Sequence, residues 1–206
     1  SPGFFSWAIP TGDTTRVGTW TKAELMNGLS SEQYLDKLLQ DQKINSRFRL
    51  CSEVARFCGP VPSGIVRKPL IERVALFGDS AGVCKPTTGG GIGPGFKQVD
   101  LLVPRLSKCM ENNELSRGTM NSISALLKEM ARNQRKKRAL RDAFLTEMSD
   151  VELEKIFDVW VRPEVTDLIN EFGDIENPIP LGIKMLREVP EFRRLAGRAA
   201  KAVLWG

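Results

Sequence analysis

The 206-residue sequence predicts a mixed α+β or α/β chain: an antiparallel β portion, an apolar strand that runs through a glycine-rich turn into a helix, and a helical C-terminal region. Three observations carry this. Phe5, Trp7 and Ile9 alternate at the strand period of two. ERVALFGD, residues 72–79, is a short apolar run with glycines close behind it. From Ser116 onward the apolar residues recur at three and four, as in Ile123, Leu126, Leu127 and Met130, then Leu140, Phe144, Leu145 and Met148.

Element by element, SPGFFSWAIP reads as a strand that Pro10 ends, TGDTT as a turn and TRVGTW as a returning strand. Residues 4–20 are therefore expected to form a β-hairpin. Thr21 is the expected N-cap of the helical stretch KAELMNGLSSEQYLDKLLQDQ, which divides around Gly28, Ser30 and Ser31. SEVARFCGPVPSG is expected to be extended and to close in a Pro/Gly turn. ERVALFGD then forms a strand of the buried type. FKQVDLLVPRLSKCMENN is helical, kinked or split at Pro104. The later helices break near Ser149, Pro163, Gly173 and the Pro178–Pro180 pair.

Composition excludes more than it names. A hydrophobic content of 41% suffices for a core, and the net charge of +5 favours phosphates or acidic headgroups without choosing between them. With no His in the chain, Ser–His and Cys–His nucleophile pairs and His-built metal sites are excluded. Acid–base chemistry falls to carboxylates, Lys, Tyr34, a thiol or a bound cofactor. Cys51, Cys58, Cys84 and Cys109 show neither C-x-x-C nor zinc-ligand spacing, so reduced thiols are expected over a disulfide. No run reaches the roughly 20 apolar residues of a membrane span, and a soluble or peripheral cytoplasmic protein is expected. The run Arg132 to Arg141, with Arg135, Lys136, Lys137 and Arg138, could touch nucleic acid or anionic lipid, but with no interleaved aromatics it reads as a solvated helix face rather than a nucleic-acid site. FRRLAGRAAKAVLW, with Phe192, Leu195, Leu204 and Trp205, is basic and amphipathic. It suits a membrane surface or ordinary packing equally.

FGDSAGVCKPTTGGGIGPG, residues 77–95, is the informative stretch. A buried strand entering a glycine turn places Asp79 at the strand's C-terminal end, where ligands of open α/β sheets bind. Gly89, Gly90 and Gly91 let backbone approach a flat or anionic ligand, having no Cβ in the way. A helix starting between Ile92 and Phe96 turns its first free N–H groups and positive dipole end toward that ligand.

The order strand, Gly78–Asp79, Ala81–Gly82, Pro86, Gly89–Gly90–Gly91–Ile92, helix resembles the second FAD-binding motif of flavoproteins with the p-hydroxybenzoate hydroxylase fold. Within that superfamily it is most similar to the geranylgeranyl reductases. The resemblance implies that Asp79 bonds a ribityl hydroxyl of FAD and that the turn from Gly78 to Gly82 lies along the ribityl-pyrophosphate. It also implies that the amides of Gly90, Gly91 and Ile92 sit by the flavin's pyrimidine edge, stabilising the anion of the reduced ring. Some relatives place a cysteine near Cys84 that pairs with one elsewhere; here a buried spectator thiol is expected, and a solvated Lys85 is expected over one that contacts flavin or a substrate phosphate.

A second motif is independent of the first. The geranylgeranyl reductases carry aromatic-x-Trp-x-Phe-Pro, seven or eight residues, then Gly-x-Gly, thought to line the prenyl cavity. This chain has Phe5-Ser6-Trp7-Ala8-Ile9-Pro10, seven residues, then Gly18-Thr19-Trp20. Phe5 stands where Tyr is usual, Ile9 replaces Phe, and Trp20 replaces the last Gly, which narrows the expected cavity. Phe5, Trp7 and Ile9 form a broad apolar face that suits a hydrocarbon chain or a core.

The resemblance covers residues 2–160. It implies a prenyl-binding portion (1–70), an FAD-domain closing segment (71–115) and a helical C-terminal domain (116–206). It also implies an FAD-dependent reductase of isolated C=C bonds in geranylgeranyl chains, reduced by an external donor, with an archaeal-type ether lipid or another geranylgeranyl compound as the substrate. No G-x-G-x-x-G precedes residue 77, so the chain is expected to need an N-terminal half to hold FAD and to be inactive alone. The alternatives are an aromatic-ring monooxygenase of the same fold and a non-catalytic fragment that binds anionic lipid or a partner.

Overall fold

A computed structural model describes residues 2–143, 148–174, 176–197 and 200. The chain divides into two compact units, one spanning residues 2–60 and the other running from Val61 onward.

In the first unit, β1 (Ser6–Thr11) pairs antiparallel with β2 (Thr14–Thr19) around a loop whose Gly12 takes a φ of +68°. Pro10 does not end the strand. It faces Thr15, and because Trp20 N–H bonds the Phe5 carbonyl at 3.0 Å, the odd-numbered residues of β1 hold the ladder. Pro10 thus turns its missing N–H to the open edge, where it costs nothing. Thr21 caps no helix: a single 3₁₀ turn, Ala23–Leu25, follows Lys22 without a side-chain cap. The cap lies at Ser30, whose Oγ accepts the Gln33 N–H at 3.2 Å while Gln33 Oε1 accepts the Ser30 N–H at 2.8 Å. This capping box opens α1 (Ser31–Gln40), and α2 (Gln42–Asn45) follows from Asp41. Residues 46–60 then run without strand or α-helix.

The second unit holds the glycine-rich stretch. The expected buried strand reduces to β4 (Val74–Ala75), paired antiparallel with β3 (Leu70–Ile71) across Arg73, whose φ is +56°. The tight reversal limits pairing to two residues, and Val74 is 47% exposed. Beyond it the backbone stays extended at Phe77 without a strand partner. A side chain substitutes for one: Gln98, fully buried, accepts the Gly78 N–H at 2.9 Å and donates to the Leu76 carbonyl at 3.0 Å.

Gln98 belongs to α3 (Ile92–Glu111), which buries Pro94, Gln98, Leu102 and Leu106, a stripe with a spacing of four. The helix runs unbroken through Pro104, so of the expected kink or split the split does not occur. Pro104 is exposed, so the Asp100 carbonyl it leaves without a donor can meet water. Next come α4 (Arg117–Ser124), capped by Ser116, and α5 (Lys128–Arg141). Leu70, Ala81, Val83, Leu102, Met120, Ile123, Leu127 and Met130 form the core beneath the glycine turn.

The expected breaks bound the remaining helices: α6 (Asp150–Trp160) starts from Ser149, α7 (Pro163–Phe172) ends at Gly173, and α8 (Ile179–Glu188) follows Pro178. Phe192 of α9 (Pro190–Arg193) is buried with Val159, Val165, Met185 and Val189, and Leu195 packs against them, so that part of the basic C-terminal segment is packed. Phe144, Leu145, Leu204 and Trp205 lie outside the described residues. Among those described, no helix is long and apolar enough to cross a membrane.

Candidate functional site

The glycine turn is built in two halves. The first is a 3₁₀ turn, Gly78–Ala81, closed by Gly82 in the left-handed region. Gly78 and Gly82 have φ of +59° and +72°, values that favour glycine. A Cβ on Gly82 would also strike the carbonyl oxygen of Gly64, because residues 63–66 run alongside. Ser63 bridges Val83, Gly64 N–H bonds the Gly82 carbonyl at 2.8 Å, and Val66 N–H bonds that of Ala81 at 3.1 Å. Ala81 is fully buried, whereas Asp79 and Ser80 face outward.

The second half, residues 83–91, folds back. Lys85 N–H bonds the Gly90 carbonyl at 3.0 Å, and Gly89, with φ of +72°, returns its N–H to the Lys85 carbonyl at 2.9 Å. Pro86 is buried, its carbonyl taken by Arg141 Nη1 at 2.9 Å. The return brings Gly91 against Asp79, since a Cβ at Gly91 would lie 2.9 Å from Asp79 Oδ1 and 3.5 Å from Cys84 Sγ. Ile92, 78% exposed, opens α3.

Two helices hold this turn from behind. Besides Gln98, the buried Gln134 of α5 donates to the Gly82 and Cys84 carbonyls at 3.3 and 3.2 Å and accepts the Ile65 N–H at 3.0 Å. The basic run that sequence reads as a solvated face is partly committed here. Arg138 reaches Ser63 Oγ at 3.4 Å, Lys137 reaches the Glu176 carbonyl at 2.6 Å, and Arg135 alone of the four is classed as exposed. Lys85 is a correction too: it is 8% exposed, its Nζ 2.6 Å from Glu176 Oε1. Gln98, Gln134, Arg141 and Glu176 were missed by sequence reasoning, although each glutamine lies on an apolar stripe of its helix.

The electrostatics are those of a held carboxylate. Cys84 Sγ donates to Asp79 Oδ1 at 2.9 Å. Burial pushes the Cys84 thiol up to about 12, with the bond to Asp79 and its negative charge adding to the effect. The thiol is therefore neutral and fixes one oxygen of Asp79. Because the folded value lies above the ordinary 9.0, the neutral thiol's contribution to stability is whole below about pH 9 and lost towards 12. Native alkylation at pH 8 is expected to modify the exposed Cys51 and Cys58 at least tenfold faster than Cys84. Peptide mapping after timed iodoacetamide treatment checks this, and equal rates would contradict a neutral, buried thiol.

Facing Asp79 is the start of α3. The Gly90 N–H reaches only Thr88 Oγ1, at 3.4 Å, and the amides of Gly91, Ile92 and Gly93 have no acceptor among the described residues. Donors left open beside a fixed carboxylate suit an electron-rich, hydroxyl-bearing ligand. The geometry fits a flavin of the expected kind: a glycine cradle that Cβ atoms would fill, unpaired donors for a ring edge, and an acceptor for a hydroxyl. Among the described residues no cluster suits a metal ion.

The other predicted residues lie on the hairpin. Trp7 stands opposite Gly18, and its ring occupies the space a Cβ on Gly18 would need. Phe5 lies 6.0 Å from Trp7 and 6.2 Å from Trp20, ring centre to ring centre, and Phe4, unexpected from the sequence, stacks on Trp20 at 3.9 Å. Phe5 and Ile9 stay exposed and Trp7 and Trp20 half-buried, which leaves an aromatic face on the ribbon. Pro10 and Gly18 shape its edge and floor.

The chain is similar to archaeal proteins that carry the name digeranylgeranylglycerophospholipid reductase. It is 25% identical over 157 residues to the digeranylgeranylglycerophospholipid reductase of Methanocaldococcus jannaschii, covering 76% of this chain and 39% of that protein. It is 26% identical over 172 residues to digeranylgeranylglycerophospholipid reductase 3 of Methanosphaera stadtmanae, covering 82% and 42%. An uncharacterized protein of Methanocaldococcus jannaschii is 28% identical over 196 residues, 92% of this chain and 47% of its own length. The chain thus spans less than half the length of these relatives. No family model and no solved structure matches it.

Proposed function

We propose that this chain supplies the flavin-edge and prenyl-lining parts of an FAD-dependent reductase that saturates isolated C=C bonds in geranylgeranyl chains of an archaeal-type ether lipid. The observation that carries the reading is the pairing of a thiol-anchored Asp79 with the open amides of Gly91 and Ile92. The archaeal relatives named digeranylgeranylglycerophospholipid reductases support the substrate class.

A bound flavin, reduced by an external donor, supplies the hydride. Asp79 accepts a hydrogen bond from a ribityl hydroxyl, and the turn from Gly78 to Gly82, with Ala81 and Pro86 buried behind it, keeps side chains off the sugar-phosphate path. The amides of Gly90, Gly91 and Ile92, with the positive end of α3, stabilise negative charge on the ring edge. Phe5, Trp7, Ile9 and Trp20 bind the hydrocarbon by dispersion and exclude water. No side chain in this chain is assigned as the proton donor. The N-terminal half of the protein is a required partner for FAD, and contact with the cytoplasmic membrane face brings in the lipid.

The test is anaerobic. With the full-length flavoprotein reduced, a geranylgeranyl ether lipid is expected to reoxidise the flavin by itself and to be recovered saturated. Flavin that stays reduced until oxygen enters would overturn the reading in favour of a monooxygenase, and a protein that never holds flavin would overturn both.

A further inference from the structure

The charge around Glu176 is larger than one salt bridge needs. The Lys85 ammonium lies 2.6 Å from Glu176 Oε1, and Lys137 Nζ donates to the Glu176 backbone carbonyl at 2.6 Å. The Lys137 ammonium is held below its ordinary pKa, first by burial and then by the charges of Lys85 and Lys97, with Glu176 and Asp174 opposing. The same carboxylate lies on the first turn of α3: a Cβ at Gly93 would come 2.8 Å from Oε1. The Gly93 amide has no acceptor among the described residues. A Cβ at Gly90 would come 3.1 Å from Lys85 Cε, so the absence of side chains at both glycines keeps this space clear for the pair.

We infer that Lys85, Lys137 and the Gly93 side of the first turn of α3 form a phosphate-binding site, in which Glu176 is the chain's own anion and is displaced when a phosphate-bearing ligand binds. The charge balance argues for it. Once Glu176 is lifted away, the Lys85 and Lys137 ammoniums and the positive end of a 20-residue helix are left without its charge, and Lys97 adds positive potential at Lys137 while Asp174 opposes it. The Lys85 side chain is 10% exposed and cannot easily leave, whereas that of Glu176 is 51% exposed on the short connection between α7 and α8. A half-exposed carboxylate bound to one ammonium is weakly held. A phosphate monoester brings up to two negative charges and three terminal oxygens, and a diphosphate brings two charges and four non-bridging oxygens, enough in either case to engage both lysines and the helix at once. The site adjoins the proposed flavin edge at the same helix end, taking the Gly93 side and leaving the Gly90, Gly91 and Ile92 amides to the ring. Two sources offer this chemistry, the diphosphate of a dinucleotide and the phosphate of a lipid headgroup.

The experiment uses the full-length protein and Glu176→Gln, with binding measured calorimetrically for inorganic pyrophosphate, FAD, a diether glycerophosphate lipid in micelles and its uncharged diether glycerol counterpart. Glu176→Gln is expected to tighten the phosphate-bearing probes roughly tenfold, about 1.4 kcal/mol, and to leave the uncharged lipid unchanged. Adding Lys137→Met to that variant should remove the gain. Tightening of the lipid phosphate alone assigns the site to the headgroup; tightening of FAD and pyrophosphate alone assigns it to the dinucleotide. Phosphate affinities that stay level or weaken in Glu176→Gln overturn the inference and leave the pair as a clamp between α3 and the α7–α8 connection. A gain that persists in the double variant overturns it as well.

Discussion

Alanine at Gly82 is expected to destabilise the chain by about 3–5 kcal/mol, combining left-handed strain of order 1 kcal/mol with a backbone collision and lost hydrogen bonds. The strain alone is modest. The larger part arises because the added Cβ meets the Gly64 carbonyl, and the two backbones there are joined by the Gly64–Gly82 and Val66–Ala81 hydrogen bonds and by Gln134. Relief requires moving residues 63–66 away, which breaks the bonds that hold the turn over a core containing Ala81 and Val83. A fall of roughly 10 °C in Tm is the expected readout. Gly28→Ala is the control: its φ is +78°, yet a Cβ there meets nothing within 4 Å, so only about 1 kcal/mol of strain should appear. Equal losses from the two substitutions would show that the Gly64 contact contributes nothing.

Local features of the sequence forecast local features of the structure. The hairpin, the helix beginning at Ile92 and the breaks at Ser149, Pro163 and Gly173 all follow from periodicity and from residues with one strong backbone preference. Partnerships over long separations were not legible. Lys85 reads as solvated because its carboxylate partner lies at residue 176, and the basic run of α5 reads as a water-facing strip because Ser63 and the Glu176 carbonyl are equally remote. The two supporting glutamines left a fainter trace. Gln98 interrupts the stripe Pro94, Leu102, Leu106, and Gln134 follows Met130 by four; a polar amide in such a register needs buried partners. What they satisfy is the backbone of a segment with almost no sheet of its own, and strand propensity carries no sign of that arrangement. Pro104 misled for a related reason, since its cost depends on whether the carbonyl it deprives faces water.

Loss of FAD by roughly 10- to 150-fold in affinity is the expected result of Asp79→Ala in the full-length protein, the range set by 1.5–3 kcal/mol for a hydrogen bond to a charged group. The apoprotein should melt within a few degrees of the wild type, because Asp79 is exposed and its recorded bond is to a weak thiol donor. Asp79→Asn separates the two roles of the carboxylate. An asparagine oxygen can still accept from Cys84, so the rotamer survives while the negative charge that strengthens a ribityl hydrogen bond is gone. FAD affinity in Asp79→Asn should therefore fall between wild type and Asp79→Ala, as flavin fluorescence titration would show. Gly91→Ala supplies an independent route to the same end: its methyl would lie 2.9 Å from Asp79 Oδ1, pushing the carboxylate off Cys84 and covering the open amides beside it. If both Asp79 variants kept wild-type FAD affinity while the apoprotein lost stability, Asp79 would be a structural acceptor for Cys84, and the flavin-edge assignment of this turn would fail with it.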